Sequence, residues 1–320
     1  SPGLISSRLT GVLNSPKAKF GIAFVMLALI IVAWTTYRDT SSVGPLPSWT
    51  ATPTTYRGQY LSQSPYLKYS SDSNRYRFAI ISDMDTASAI DTSLVFKAEV
   101  KEGRLIRNKQ GQYSIEWDLT TLIKSEYNEK GRGMELSELI YYNNMLLSCD
   151  DRTGIIYEIS LDSKLAIPRW ILPSGDGRTT AKGLKCEWMT IKDEVLYAGS
   201  IGKEFIKNGK IANHDNNWVK TVDRVGGIHH VDWKVIFDKL REATGTSFPG
   251  YLVHEAVGWS EQMRKWVFLP RRMSTEAYDE KADELKGANL ALIVDEDFSA
   301  VKKVTVGPQV PSHGFSSFKF

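Results

Sequence analysis

From Arg75 onward, apolar and polar positions alternate with a period of two, the pattern of strands that bury one face. YRFAIISDMD, SLVFKAEV and QYSIEWDL read this way, and so do ANLALIVDED and VKKVTVG further on. Between them, ELIYYNNMLLSCDDRTGIIYEI reads as two or three short strands with tight turns at Asn143-Asn144 and at Asp151 to Gly154. A single stretch follows helical spacing. In DWKVIFDKLREATG, Trp233, Ile236, Phe237 and Leu240 form one apolar stripe, with Asp232 placed to cap the start and Gly245 to end it.

The strand pairs recur. Ser137 opens one, and Glu187, in EWMTIKDEVLYAGS, opens the next. Glu255, in HEAVGWSEQMRKWVFLPRR, opens a third, and Ser316 opens SSFKF. The intervals of 50, 68 and 61 residues are those of a supersecondary repeat with insertions. Short strands in such groups predict an all-β fold of propeller type, in which the first strand of each blade lines a common axis. Ser137, Glu187, Glu255 and Ser316 would then form a ring of oxygens. Carboxylates gathered without a counterion repel one another, so the ring implies a cation. Oxygen ligands without His or Cys select a hard one, and Ca2+ suits such a set better than magnesium.

Composition narrows the class. Apolar residues make up 42% and aromatic residues 11%, enough for a sizeable core and in keeping with β architecture. A net charge of +3 with no long basic block predicts no nucleic-acid binding. Residues 20–37 carry no charge, and about 27 Å of helix would suffice to span a thin membrane. Arg8, Lys17 and Lys19 precede them with no acidic residue, which predicts a cytosolic tail over 1–19 and a type II signal anchor over 20–37. A Ser, Thr and Pro-rich stem follows over 38–74, and the folded domain occupies 75–320. Secretion after cleavage of a signal peptide is the alternative. Cys149 and Cys186 fall in the part expected to be luminal, where they would either pair or remain two buried, unpaired thiols.

In order and spacing, FAIISDMDT, WDLTTLI, EKGRGMELSELI, DDRTGIIYEI, KGLKCEWM, FLPRRMS and PSHGFSSFKF resemble the calcium-activated nucleotidases, or calcium-dependent apyrases. The resemblance runs from about Tyr76 to Phe320. It implies a five-bladed β-propeller and calcium-dependent cleavage of a terminal phosphate from nucleoside diphosphates such as UDP and GDP, with triphosphates or ADP as further substrates. It puts the calcium ligands on Ser137, Glu187, Glu255 and Ser316. It also implies a further Glu beyond FSSFKF, so the last blade is expected to be incomplete here, with the chain stopping at Phe320. A membrane-anchored member would work in the lumen of the endoplasmic reticulum or Golgi, and a homodimer is an open expectation.

Asp83 and Asp85 are the candidates for positioning the attacking water, as carboxylates beside a metal can. Arg132 and Arg271 are the first candidates for gripping phosphate, followed by Arg152 and Lys203, with Asp151 of the same DDRTG turn grouped among the substrate-facing residues. His230 and His254 read as structural histidines. Trp188, Trp233 and Trp259 read as core residues before base-stacking ones. Two other classes compete: a type II glycosyltransferase using Asp83-Met84-Asp85, and a non-enzymatic, calcium-stabilised binding propeller.

Overall fold

A computed structural model of the chain describes residues 74–90, 94–207 and 209–320. The expected cytosolic tail, anchor and nearly all of the stem, residues 1–73, lie outside the described residues. Among the described residues no helix is long and apolar enough to cross a membrane.

The alternating runs form strands. The first sheet comprises β1 (Arg75–Ser82), β2 (Ala89–Ile90), β3 (Val95–Arg107) and β4 (Tyr113–Ser125). The second is the meander β5 (Leu136–Tyr142), β6 (Met145–Asp150), β7 (Ile155–Ser160) and β8 (Leu165–Ile171), continuous with the first through one bridge between β4 and β8. The third begins with β9 (Trp188–Lys192) and β10 (Val195–Gly199), is interrupted by a separate hairpin of β11 (Phe205–Lys207) and β12 (Lys210–Asn213), and resumes with β13 (Trp218–Val222) and β14 (Ile228–Asp232). After helix α1 (Lys234–Thr244), the fourth contains β15 (Tyr251–Ser260), β16 (Lys265–Ser274), β17 (Leu290–Asp295) and β18 (Val301–Thr305), with the short helix α2 (Glu280–Asp283) between β16 and β17. Both expected tight turns are present. Asn143 and Asn144 take φ of 49° and 64°, the left-handed pair that a two-residue hairpin needs.

The sheets stack in chain order, with β1 beside β5, β5 beside β9 and β9 beside β15. Each interface holds one apolar cluster. Phe96, Val100 and Ile123 of the first sheet meet Leu136 and Tyr157 of the second. Leu147, Cys149 and Ile156 of the second meet Met189, Leu196 and Val222 of the third. Trp188 and Val219 of the third meet Trp266, Phe268 and Leu292 of the fourth, with Trp233, Phe237 and Leu240 of the α1 segment filling the space between. The helix stripe is therefore as expected, although the cap moves by one residue. Trp233 is the N-cap, and the Asp232 carboxylate accepts from the Lys234 N–H at 2.8 Å.

One expectation is corrected: the SSFKF run forms no strand at Ser316. The described strands fall into four successive groups, the first two continuous as one eight-stranded sheet, with the β11–β12 hairpin apart. A strand needs a neighbour to take up its backbone groups. The end of the chain is held by side chains instead: Ser317 Oγ and Lys319 Nζ each lie 2.9 Å from the Glu138 carboxylate. The glycosyltransferase alternative also falls, because it needs an alternating, parallel nucleotide-binding sheet. Among the described residues every strand pairing is antiparallel except the bridge Lys124↔Leu165 between β4 and β8.

Gly199 is required by packing, not by backbone freedom. It pairs with Trp188, and a Cβ there would lie 2.0 Å from the indole Cζ2. Gly199→Ala should lower stability by about 1–3 kcal/mol through this overlap, read as a reduced urea midpoint at unchanged slope.

Candidate active site

The ends of the first strands converge on a cavity of about 500 Å³. All four expected metal ligands, Ser137, Glu187, Glu255 and Ser316, line it. Asp83, Asp85 and Asp151 do as well, together with Arg132, Arg152 and Arg271. Lys203 does not. Its ammonium lies 3.9 Å from the centre of the Tyr278 ring and donates to the Glu204 carbonyl at 3.3 Å, partners that satisfy a buried cation away from the cavity. Trp188, Trp233 and Trp259 are all buried in the core cluster, so none is available to a base. His254 is likewise buried, with its ring against Phe237 and Phe268. Burial, reinforced by the Arg241 charge, holds its pKa down at about 3. The His230 ring packs on Gly177.

Irregularities in the strands aim these side chains. In β5 the register jumps between Leu136↔Asp150 and Glu138↔Cys149, leaving Ser137 as the extra residue. In β15 it jumps between His254↔Pro270 and Ala256↔Leu269, leaving Glu255 in the same position. Glu255 is thus the fifth residue of its strand and not the opening one. Glu187 donates its N–H to the Gly199 carbonyl at 2.8 Å, although Gly199 already pairs with Trp188. Two residues again face one, as in a bulge, and bulges re-aim side chains. Arg132 is placed by a tight turn in which Lys130 and Gly131 have φ of 54° and 81°. Asp83 sits just past β1 and accepts the Asp85 N–H at 2.7 Å.

Two residues central to the site escape a reading based on one residue per repeat. Lys185 places its ammonium between Glu187 and Asp151 Oδ2, the latter at 2.6 Å. Desolvation pulls the Lys185 pKa down, but Glu187 and Asp151 outweigh it and hold it above the ordinary lysine value. Glu135 receives Arg132 through two hydrogen bonds, Nε at 2.7 Å and Nη2 at 2.5 Å, while Arg132 also pairs with Asp85. Each of the two precedes an expected ligand by two residues, Lys185 before Glu187 and Glu135 before Ser137. In extended chain that spacing puts two side chains on the same side, which was a usable signal. Asp150, also missed, is a buried organiser that accepts the N–H groups of Met134 and Arg152, each at 2.9 Å. Burial, partly offset by those bonds, raises its pKa to about 6.

These partners change the argument from charge. Glu187 and Glu255 do not lack counterions, because Lys185 pairs with the first and Arg271 with the second. Burial still pushes both carboxyls above their usual range, against the pull of those cations. Asp83 is also raised, by desolvation first and then by Asp151, with the Asp85 N–H opposing. Carboxylate oxygens of Asp83, Glu135 and Asp151 lie within 4.8 Å of one another. Around the whole cavity, six carboxylates (Asp83, Asp85, Glu135, Asp151, Glu187, Glu255) face four cations (Arg132, Arg152, Lys185, Arg271), a formal 4 − 6 = −2. Ser137 Oγ and Asp151 Oδ1 are buried without a hydrogen-bond partner. All-oxygen donors, two of them unsatisfied, with a deficit of two positive charges fit a hard divalent cation.

The family described as Apyrase matches residues 84–320. The "Soluble calcium-activated nucleotidase 1" of Mus musculus is 46% identical over 249 residues, covering 77% of this chain and 61% of that protein. The "Apyrase" of Cimex lectularius is 40% identical over 252 residues, covering 77% of this chain and 68% of its own length. The chain thus spans about three fifths of the length of the mouse relative. Among solved structures, the match to the Neurospora crassa Pan2 WD40 domain covers 75% of this chain and 55% of that one, at 10% identity and a TM-score of 0.31. With the family matching from Met84 to the last residue, Phe320, the chain belongs to the apyrase family.

Proposed function

We propose that this chain is a calcium-dependent hydrolase that removes the terminal phosphate of nucleoside diphosphates such as UDP and GDP, and of nucleoside triphosphates and ADP. The observation that carries the proposal is the pair of buried, unpartnered oxygens, Ser137 Oγ and Asp151 Oδ1, in a cavity that also presents three arginines. The names of the mouse and bed-bug relatives, a calcium-activated nucleotidase and an apyrase, point the same way.

Ser137, Glu187, Glu255 and Ser316 would hold calcium. When bound, the ion would neutralise phosphate oxygens and help orient the substrate. The chain's own groups supply the rest. Arg152 lines the cavity and has a buried Nε with no partner, an N–H that a phosphate oxygen could accept. Arg132 and Arg271 border the same space but are already braced by Glu135 and Glu255, which fixes their guanidinium planes. Asp83, with its proton affinity raised by desolvation, is suited to take the proton of the attacking water. Asp85 pairs with Arg132 and serves to position it. The arginines favour an enzyme over a purely structural calcium site, which needs no phosphate grip.

A five-bladed closure, with a further blade between the fourth sheet and the first, belongs to the same proposal. So does a luminal setting in the endoplasmic reticulum or Golgi behind an anchor at 20–37, with secretion after cleavage as the alternative. The Cys149–Cys186 disulfide supports an oxidising compartment.

Incubation of the purified chain with UDP should release phosphate with calcium and not with magnesium, and equal release with either ion would overturn the calcium assignment. Glu187→Gln and Glu255→Gln should each weaken calcium binding about 10–100-fold and lose phosphate release with it. In calorimetry and turnover assays run in parallel, Asp83→Asn should keep its calcium affinity while kcat falls about 10²–10⁴-fold. Lys185→Met leaves Asp151 and Glu187 without their shared cation. It should cost on the order of 2 kcal/mol in metal-free urea denaturation, less than a fully buried pair because the lysine keeps contact with solvent.

A further inference from the structure

We infer that the Cys149–Cys186 disulfide is a positioning element of the site. It holds Lys185 and Glu187 against Asp151, so that the cation site is assembled before the cation arrives. The inference rests on the calcium reading proposed above.

Cys186 lies between Lys185 and Glu187, and Cys149 is followed directly by Asp150 and Asp151. The bridge therefore joins the two segments that the Lys185–Asp151 contact also joins. Both cysteines are fully buried in the apolar cluster between the second and third sheets, beside Leu147, Leu184 and Met189. With Cys186 turned into that cluster, the alternation of an extended chain turns Lys185 and Glu187 toward the cavity, which both of them line.

The tether matters because of where Lys185 and Glu187 sit. Residues 172–187 connect β8 to β9 and contain no strand. Near the site their backbone is tied by Leu184 N–H to the Leu172 carbonyl at 2.7 Å and Glu187 N–H to the Gly199 carbonyl at 2.8 Å. Glu187, on this segment, is repelled by the carboxylates of Glu255 and Asp151. Lys185 resists that repulsion, but it does so in part through the Glu187 carboxylate, a group assigned above to calcium. When a cation takes that carboxylate, the ammonium bridge is weakened at the moment of binding. The disulfide lies on the other face of the segment and does not compete. It keeps the spacing of Asp151 and Glu187 whether Lys185 or a cation sits between them.

The test uses the full chain with both cysteines replaced, Cys149→Ala with Cys186→Ala, titrated with calcium by calorimetry. Calcium affinity should fall about tenfold or more, the size seen when groups that position metal ligands are removed. At saturating calcium, kcat with UDP should change far less than the affinity does. Amide exchange of residues 184–187 in metal-free buffer should quicken. Leu196→Ala, in the same apolar cluster but remote from the cavity, controls for lost stability and should leave calcium affinity unchanged. If the double alanine variant does not fold, Cys149→Val with Cys186→Ala refills the buried volume and carries the same expectation. Calcium affinity equal to that of the parent chain, or a loss matched by Leu196→Ala, overturns the inference. A parent chain that binds calcium but releases no phosphate overturns the hydrolase reading alone, and the titration still decides the role of the disulfide. A parent chain that binds no calcium overturns both.

Discussion

Lys185 sits where two sheets deliver their acids to one point, and its ammonium is shared between Asp151 and Glu187. Without that charge the cavity would hold six carboxylates against three arginines, and the electrostatic cost would fall on two of its most buried members. Isolated buried carboxylates cost several kcal/mol each, more than a small change in packing can return. The protein solves this incompletely. It leaves a formal charge of −2 and two unpartnered oxygens. A fold selected only for stability would have closed that gap with another lysine or removed an acid. That residual deficit is what the proposed cation would offset.

The backbone carries the same message. Ser137 and Glu255 are both the extra residue of a register shift, and Glu187 stands where two residues face Gly199. A regular inner strand would send alternate side chains into the two apolar clusters on its flanks. An extra residue breaks that alternation once and frees one side chain to point into the cavity instead. The neighbours remain locked: Leu136, Trp188 and Ala256 are all buried. Ser137 and Glu255 are therefore mounted within strands whose neighbouring residues are packed, and Glu187 directly before one.

Much of this could be read from the chain. The period-two runs gave the strands, the repeat gave Ser137, Glu187, Glu255 and Ser316, and ten of the eleven singled-out residues line one cavity. What the repeat could not supply was pairing. Lys185 and Glu135 lie two residues before expected ligands, and their roles depend on which sheet lies opposite, a matter of long-range register. Lys203 failed for the reverse reason: the GKEF motif fixes a position along the chain but not a side-chain direction, and the Tyr278 ring that captures it is 75 residues away. The cysteine pair stayed open because a disulfide depends on Cα separation, here 5.9 Å, which composition does not contain. Ser316 was placed correctly at the cavity but wrongly in a strand, since a strand requires a neighbour that the repeat alone does not guarantee.

The four-sheet stack and the charged cavity support each other in opposite directions. Each sheet interface buries one aromatic or aliphatic cluster, and the cluster around α1 is the most aromatic, with Trp233 in contact with Trp188, Trp266 and Phe298. Apolar burial of this kind is non-directional and tolerates small sliding motions between sheets. The cavity does not tolerate them, because hydrogen bonds and cation coordination decay over fractions of an ångström. Side-chain links that cross between sheets convert the loose stacking into fixed spacing: Tyr142 Oη donates to the Val222 carbonyl at 3.1 Å, and Thr190 Oγ1 accepts from the Trp259 N–H at 2.9 Å. The first ties the second sheet to the third, and the second ties the third to the fourth. With those distances set, the acids that line the cavity cannot relax apart to relieve their repulsion, and an added positive charge is the remaining way to lower their energy.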